Sequence, residues 1–384
     1  MRYCLVTETY PPEVNGVALT VQSMEQGLRR RGHQVDVVRP RQHASDPAQG
    51  HETLVRGAPL PRYPGMRFGL PSPRVLRRLW TRHRPDAVYV ATEGPLGWSA
   101  IRTAARMGIP LTTGFHTRFD QYTRDYGVGF LEPLAVRWMR GFHNTSSATL
   151  VPTCELADYL RGLGFAEVVH LPRAVDTTLF HPQRRDPALR AEWGIPADAL
   201  AVIHVGRIAA EKNLGLAVRA FRQLQAQRPN ARFVWVGDGP ERAALQRANP
   251  DFVFRGIRRG EDVAREYASA DLFLFPSHSE TFGNVTIEAM ASGIPTIAFR
   301  YGAAKEHLVD GEHGASIDGA DEAAFIASAC RIATLPQAQR LAMGAAAREA
   351  VHRLHPAQVA ADLDDALQRV IRQHGGKDAI AVAA

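Results

Sequence analysis

The chain has 384 residues, of which 45% are hydrophobic, and a net charge of +7. This length can bury two hydrophobic cores, so the composition predicts a soluble globular protein of two domains. No segment approaches the roughly 18 consecutive apolar residues of a membrane-spanning helix, and the first residues lack the features of a signal peptide, so we expect a cytoplasmic protein. The three cysteines, Cys4, Cys154 and Cys330, lie singly among apolar neighbours, which predicts reduced core thiols and neither disulfides nor a zinc site.

Short apolar runs alternate with amphipathic stretches in both halves of the chain, which is typical of parallel strands joined by helices. The predicted strands are Tyr3–Thr7, Val35–Val38, Ala87–Ala91, Leu111–Phe115 and Ala148–Pro152, then Ala201–Val205, Arg232–Val236, Leu272–Phe275 and Thr296–Ala298. We expect an α/β fold of two doubly wound, Rossmann-like domains at residues 1–175 and 190–355, joined by a linker at 176–189. Ligands of such sheets bind at the carboxyl ends of the strands, so the site is expected in the cleft between the halves.

Two features of the first half point to that site. Gly16, in the loop after the first strand, lets the backbone approach a ligand, and the helix behind it could donate N–H groups to a diphosphate. His116 follows an apolar strand and would face the cleft if the sheet order holds. A histidine that is satisfied within the fold is an equally open interpretation of His116.

The positive charge is concentrated between residues 53 and 85, where eight arginines meet no acidic residue and aromatic side chains are interleaved. Such a surface is suited to anionic lipid headgroups or to nucleic acid, and a plain solvated face is the third alternative. Because no nucleic-acid motif is present, we expect a membrane or acceptor face formed by Arg67, Arg74, Arg77, Arg78 and Trp80.

A strand, a glycine turn and a helix start follow one another at Gly206-Arg207 and Glu211-Lys212. Arg207 and Lys212 can converge on one anion, and a diphosphate needs two or more positive donors. A surface ion pair between Arg207 and Glu211 is the alternative. A second glycine turn, at Gly237 and Gly239, is explained equally well by tight packing or by a ligand.

Two glutamates, Glu280 and Glu288, are separated by seven residues, and the second lies on a helix that is otherwise apolar. We expect Asn284 to be the N-cap of this helix, Gly293 to end it, and the helix to be buried. An unpaired buried carboxylate costs several kcal/mol, so Glu288 is expected to accept hydrogen bonds from hydroxyls or amides that reach it from the cleft. A core ion pair with an arginine is the alternative.

Together these elements resemble the GT-B glycosyltransferases of the retaining family GT4, which includes bacterial mannosyl, glucosyl and sulfoquinovosyl lipid transferases. The resemblance runs nearly end to end. Its most specific part is the segment from Glu280 to Glu288, supported by Gly206-Arg207 with Glu211-Lys212, by Val236–Glu241 and by Val309–Gly314. The segments Glu8–Pro12 and Phe115–Thr117 are similar to the subgroup that glycosylates membrane lipids.

The resemblance implies a role for each of these residues. Arg207 and Lys212 would hold the donor diphosphate, which Gly16 caps from the first domain, and Glu288 would bind the ribose hydroxyls. The donor sugar would be held by Glu280 and by the backbone amides of Phe282, Gly283, Asn284 and Val285. His116 would contact its hydroxyl edge and the leaving phosphate. The acceptor would attack beside the departing nucleotide, so that the anomeric configuration is retained without a protein nucleophile.

The same resemblance implies that the C-terminal helix, at residues 356–375, crosses back onto the first domain. One departure is Ala174, where many members have a glycine before Val-Asp, and it concerns the hinge turn alone. We expect no metal and no cofactor, because the one dense acidic cluster, residues 362–365, lies on that amphipathic helix and is expected to form a solvated face.

We therefore expect a retaining glycosyltransferase, peripheral on the inner face of the cell membrane. It would move a hexose from GDP-mannose or a UDP-hexose to a lipid such as diacylglycerol, or to a lipid-linked acceptor. A soluble sugar or an envelope polysaccharide is an alternative acceptor. A UDP-sugar 2-epimerase and a non-catalytic nucleotide-sugar-binding protein are alternative functions. A nicotinamide-dependent oxidoreductase is disfavoured, since no G-x-G-x-x-G follows the first strand of either half.

Overall fold

The computed structural model describes the backbone of residues 1–382, apart from residues 14, 44, 45, 47, 60–66, 117–131, 197, 278, 279 and 281. Within these ranges it describes the side chains as far as residue 375, except that of Glu132. The chain forms two compact units, Met1–Ala174 with Pro356–Ala384, and Val175–His355. The segment 176–189, which the sequence suggests as a linker, belongs to the second unit, where Phe180 and Leu189 are buried in the core. No helix among the described residues is both long enough and apolar enough to cross a bilayer.

The first unit is built on a sheet of seven parallel strands in the order β3-β2-β1-β6-β7-β8-β9. Its strands are β1 (Arg2–Val6), β2 (Gln34–Pro40), β3 (Glu52–Val55), β6 (Ala87–Val90), β7 (Leu111–Gly114), β8 (Ala148–Val151) and β9 (Val168–His170), and β4 (Gly57–Pro59) and β5 (Arg67–Gly69) form an antiparallel hairpin. Its helices are α1 (Gly16–Arg30), α2 (Pro73–Arg82), α3 (Pro95–Arg106), α4 (Glu132–His143) and α5 (Cys154–Gly162), and α14 (Pro356–Val382) from the end of the chain.

The second unit contains a sheet of six parallel strands in the order β12-β11-β10-β13-β14-β15. The strands are β10 (Ala201–Val205), β11 (Arg232–Val236), β12 (Val253–Gly256), β13 (Leu272–Phe275), β14 (Thr296–Phe299) and β15 (Gly314–Ile317). The helices are α6 (Pro187–Glu192), α7 (Leu214–Gln227), α8 (Arg242–Ala248), α9 (Gly260–Ser269), α10 (Asn284–Ala291), α11 (Ala303–His307), α12 (Glu322–Thr334) and α13 (Gln337–Val351).

Both sheets are buried on both faces, as parallel sheets usually are. Successive strand residues point to opposite faces, so Tyr3 and Leu5 lie in one core cluster and Cys4 and Val6 in another. The second sheet repeats the arrangement, with alternate residues of β10 divided between two clusters. The predicted α/β fold of two doubly wound halves is confirmed.

Each predicted strand is present within two residues at either end. The unpredicted strands lie mostly at sheet edges or in the hairpin, for example β12, whose four residues are only half-buried. An edge strand is covered less completely than a central one, so it lacks the continuous apolar run that reveals a central strand.

The C-terminal helix α14 packs against the first unit, where Val359, Leu363 and Leu367 join the core beside α1. The expectation of a solvated acidic face on this helix is wrong for Asp364, which is only 1% exposed. Its carboxylate accepts hydrogen bonds from Tyr3 Oη at 2.7 Å and Arg31 Nε at 3.1 Å. The expectation of core thiols is also wrong for Cys154, which is exposed.

Candidate functional site

The second sheet has its topological switch point between β10 and β13, because the chain proceeds to β11 on one side and to β14 on the other. In doubly wound sheets the ligand binds beyond the carboxyl ends of the strands at this point. Gly206 and Arg207 follow β10 there, and the segment carrying Ser277 and Glu280 follows β13. The predicted residues of the second half are therefore concentrated at the edge of the sheet where a ligand is expected.

Lys212 ends a short helical turn at Ala210–Lys212, and its ammonium group contacts the Glu280 carboxylate directly. The side chains are 16% and 17% exposed. Ser277 Oγ donates a hydrogen bond to the same oxygen, Glu280 Oε1, at 3.0 Å. A lysine held in this way is preorganised, and an incoming anion can replace the carboxylate as its partner.

Arg207 does not share this partner. Its guanidinium lies 3.4 Å from Glu211, with 62% of its side chain exposed. Exposed pairs of this kind contribute about 1 kcal/mol or less and are readily broken. The structure thus contains the predicted alternative, an Arg207–Glu211 ion pair, and among the residues that it describes Arg207 and Lys212 have no common partner.

The second glycine turn is explained by close packing against the first. A Cβ atom on Gly237 would lie 1.9 Å from the carbonyl oxygen of Gly206, and one on Gly239 would lie 2.2 Å from that of Ile208. Ile208 N–H donates to Asp238 O at 3.0 Å and fixes the two turns together. Only glycine fits at these positions, so the turn by itself is no evidence for a ligand.

Helix α10 is buried, as predicted, but its N-cap is Gly283 and not Asn284. Gly283 has φ 87°, a left-handed conformation that glycine adopts without strain, and Asn284 is the first helical residue. Asn284 therefore makes no capping hydrogen bond. The first N–H groups of a helix have no acceptor within the helix, so Asn284 and Val285 can donate to a ligand.

Glu288 lies on the half-buried side of α10, where Tyr267 Oη donates a hydrogen bond to its Oε2 at 3.1 Å. Burial raises the pKa of Glu288 to about 7, and the tyrosine bond lowers it by less. No ion pair joins Glu288 to any arginine that the structure describes, so the core ion pair is not formed. Among the described residues, the carboxylate of Glu288 accepts one hydrogen bond, from the tyrosine hydroxyl, and this tyrosine comes from α9 within the same unit.

In the first unit, His116 lies just beyond β7 and is 6% exposed. Its Nε2 is 2.8 Å from Tyr89 Oη, while its Nδ1 is buried without a hydrogen-bond partner among the described residues. Burial, followed by the charges of Arg173 and His143, holds the pKa of His116 well below its usual value. The imidazole is therefore neutral at physiological pH.

Gly16 begins α1, and the side chain of Asn15 caps the helix by accepting from Val17 N and Ala18 N. Arg173 contacts the start of α1, since its Nη1 donates to Gly16 O at 3.4 Å and to Thr20 Oγ1, and its positive charge helps to lower the pKa of His116. The sequence analysis did not identify Arg173 as a site residue. It directly precedes Ala174 in the hinge turn, where the sequence gives it no role, and only its contacts in the fold reveal it.

Glu8, which the sequence analysis named only as part of the segment Glu8–Pro12, is a second residue to which it assigned no role. Its carboxylate accepts hydrogen bonds from the N–H groups of Gly69, Leu96 and Gly97, the last two in the first turn of α3. Burial raises the pKa of Glu8 to about 7, although these hydrogen bonds lower it. This carboxylate orders the loop after β1 against α3.

The basic face predicted from the sequence is present in part. Arg74, Arg77 and Arg78 are exposed on α2. Trp80 is a correction, because it is 1% exposed and its Nε1 donates to Cys4 Sγ at 3.3 Å in the core. Arg67 is half-buried and donates to Gly57 O at 2.6 Å. The face is therefore formed by α2, whose apolar side packs inward.

The first unit also contains an apolar pocket of about 570 Å³ between the start of α3 and α4. Trp98 and Trp138 line it, with ring centroids 6.1 Å apart, and the buried carboxylate of Glu93 lies in its wall. Pro71, two residues before α2, completes the lining on that side. Pockets of this size and composition hold small apolar or amphiphilic ligands.

Comparison with known proteins gives two family matches. Residues 14–179 match the model described as Glycosyltransferase Family 4, and residues 199–334 match the model described as Glycosyl transferases group 1. The matched segments fall on the first and second units and contain most of the residues described above.

Three individual proteins illustrate these matches. A GDP-mannose-dependent alpha-mannosyltransferase of Corynebacterium glutamicum is 34% identical over 84% of this chain and 78% of its own length. An alpha-monoglucosyldiacylglycerol synthase of Acholeplasma laidlawii is 28% identical over 82% of this chain and 84% of its own. The solved sucrose-phosphate synthase of Thermosynechococcus elongatus, 18% identical, superposes with a TM-score of 0.76 over 97% of this chain and 99% of its own. The chain therefore belongs to glycosyltransferase family 4 and is a glycosyltransferase of the GT-B fold.

Proposed function

We propose that the protein is a retaining, metal-independent hexosyltransferase that moves a hexose from a nucleotide diphosphate sugar to the hydroxyl of a membrane lipid. The observation that carries this proposal is the cluster of Lys212, Glu280 and Ser277 at the switch point of the second sheet. It pairs a cation suited to phosphate with a carboxylate suited to sugar hydroxyls.

The cluster suggests how donor binding occurs. The donor diphosphate would take over Lys212, and Glu280 would be released to accept hydrogen bonds from the hexose hydroxyls. Ser277 keeps the carboxylate in position during the exchange. Glu288, half-buried on α10, would accept hydrogen bonds from the ribose, and the free N–H groups at the start of α10 would face the sugar.

In the proposed reaction the bond from the anomeric carbon to the phosphate oxygen breaks, and the acceptor oxygen forms its bond to that carbon on the same face. The acceptor proton passes to the departing phosphate oxygen. Charge develops on the diphosphate, where Lys212 and the exposed Arg207 would stabilise it in place of a divalent cation. The neutral His116 would donate a hydrogen bond near the departing group.

Three features support a lipid acceptor. One of the relatives described above is, by name, a synthase of the lipid monoglucosyldiacylglycerol, whereas the name of the mannosyltransferase gives only its donor, GDP-mannose. The exposed arginines of α2 would bind anionic headgroups, and the pocket of Trp98 and Trp138 would accept the apolar part of the acceptor. We accordingly propose peripheral binding on the inner face of the cell membrane.

Nucleotide release from a panel of GDP- and UDP-sugars, measured in EDTA with and without anionic vesicles containing diacylglycerol, tests the proposal. We expect release from one donor only when vesicles are present, and a glycolipid with the anomeric configuration of the donor. Release that needs no vesicles would redirect the search to soluble sugars or polysaccharides. An epimerised donor without transfer would contradict the proposal, and so would donor binding without turnover.

A further inference from the structure

Arg173 is the one deeply buried arginine of the described chain that has no carboxylate partner. Three arginines are more than nine-tenths buried. Arg39 pairs with Asp46 at 2.7 Å and with Glu52 at 2.8 Å, and Arg190 pairs with Asp271 at 3.0 Å. Arg173 is 5% exposed, and none of the described carboxylates forms an ion pair with it.

A buried guanidinium without a counter-charge is unfavourable, because desolvation is not repaid by an opposite charge. Burial accordingly lowers the pKa of Arg173 to about 10, although the electrostatic interaction with Tyr89 raises this pKa by less. The fold thus keeps a cation where it costs stability. An anionic ligand bound beside it would supply the missing charge.

The surroundings of Arg173 provide unused hydrogen-bond donors. Its Nη1 is engaged by Gly16 O and Thr20 Oγ1 on α1, whereas its Nε has no partner among the described residues. His116 Nδ1 is also unpartnered. When Tyr89 donates its hydroxyl proton to Nε2, the neutral imidazole carries its own proton on Nδ1 and offers a further donor.

We propose that Arg173, together with His116 and the first turn of α1, forms an anion site in the first unit that binds a phosphate group. A guanidinium is suited to phosphate because its N–H groups form a planar fork. The phosphate would belong either to the donor diphosphate or to an acidic headgroup of the acceptor. Only this choice of source depends on the proposed function.

The test is isothermal titration of the full chain with inorganic pyrophosphate, using Arg173→Gln and, as a control, Arg106→Gln, which removes an exposed arginine of the same unit. Losing a charge-assisted hydrogen bond at a buried site should weaken binding about tenfold to hundredfold in Arg173→Gln. The control should bind like the wild type. Unchanged affinity in Arg173→Gln would overturn the proposal.

A thermal melt without ligand separates this role from a purely structural one. Because Arg173→Gln removes an uncompensated charge, the ligand-free variant should melt at or above the wild-type temperature, and pyrophosphate should stabilise it less. If the variant does not fold, Arg173→Lys serves to assign the Arg173 Nε–H resonance in the NMR spectrum of the wild type. A saturating shift of that resonance with pyrophosphate supports the site, and no shift overturns it.

Two further ligands identify the source of the phosphate. If Arg173→Gln weakens the binding of GDP but not that of sn-glycerol 3-phosphate, the site belongs to the donor diphosphate. If Arg173→Gln weakens the binding of sn-glycerol 3-phosphate but not that of GDP, the site belongs to an acidic acceptor. Neither measurement requires turnover, so a protein without transferase activity would refute the proposed function and leave the anion site standing.

Discussion

At the scale of single residues, the candidate site depends on charged side chains that differ in how firmly their present partners hold them. Lys212 is paired with Glu280 inside the fold, while Arg207 is exposed and weakly paired. An exposed, weakly paired arginine can change its partner when the donor binds, and a lysine held inside the fold can define the position of the donor. The two cations would therefore contribute differently to binding, although the sequence alone presents them as equivalent.

Glu288 predicts a pH dependence of donor binding. Its pKa of about 7 lies above the ordinary value of 4.5, so the carboxyl of the ligand-free protein is protonated in mild acid. The folded state of the ligand-free protein therefore loses stability as the pH rises from 4.5 through 7 and this group ionises. Ribose hydroxyls donate to the ionised form. The affinity for GDP-mannose should thus fall by up to about tenfold per unit below pH 7.

Titration calorimetry without acceptor between about pH 6 and about pH 8 measures this effect. In Glu288→Gln the side chain no longer titrates, and the affinity should be lower and nearly constant. Glu312→Gln, which changes an exposed glutamate of the same unit, should keep the wild-type slope. An equal slope in Glu288→Gln would show that another group is responsible.

At the scale of secondary structure elements, α2 shows how a basic surface is built. Leu76 and Trp80 pack into the core, and the arginines occupy the opposite side. Because the apolar side of the helix is already buried, its contact with a membrane would be electrostatic. Such contact weakens with salt.

Replacing Arg74, Arg77 and Arg78 by glutamine should weaken binding to anionic vesicles by up to about 100-fold, since each arginine near a charged membrane contributes about 1 kcal/mol. Co-sedimentation at low and at physiological salt measures this change. The control replaces three exposed arginines of the second unit by glutamine and so removes the same charge; they are Arg247, Arg259 and Arg331. This control variant should bind the vesicles nearly as the wild type does. Equal sedimentation of the two triple variants would dispose of α2 as the membrane face.

The central strands were predictable because each is a continuous apolar run. Helix α10 was predictable because its run of apolar residues ends at Gly293. The details depend on tertiary contacts. Trp80 looks like an interfacial aromatic beside its arginines, but the fold places it against Cys4. Likewise, Asn284 has the chemistry of an N-cap, yet the left-handed turn is taken by Gly283. Arg173 lies beside the hinge motif at Ala174, but nothing in that motif indicates a buried cation.

At the scale of the whole molecule, the end of the chain is part of the first unit. Asp364 on α14 accepts hydrogen bonds from Tyr3 on β1 and from Arg31 and His33 after α1. Burial alone would raise the pKa of Asp364, but the hydrogen bonds from Tyr3, Gln368, His33 and Arg31 outweigh it and lower the pKa to about 2. The sequence shows only an acidic cluster, because Tyr3, Arg31 and His33 are more than 300 positions away.

Asp364→Asn should therefore destabilise the protein by about 2 kcal/mol near neutral pH. The stabilisation from the lowered pKa is complete above the ordinary value of 3.8 and is lost as the pH falls through about 2, so the difference from the wild type should disappear in strong acid. Urea unfolding across this range measures it, with the exposed Asp365→Asn as control. A deficit that persists unchanged in acid would contradict the assignment to charge.

The most direct test of the account is the turnover of Lys212→Ala compared with Arg219→Ala, an exposed cation of the same unit. If Lys212 stabilises the departing diphosphate, turnover of the cognate donor should fall at least about 100-fold, as expected when a fixed charge is removed from a transition state. The variant should remain folded, and Arg219→Ala should turn over like the wild type. Near-normal turnover in a folded Lys212→Ala would contradict the assignment of the donor site.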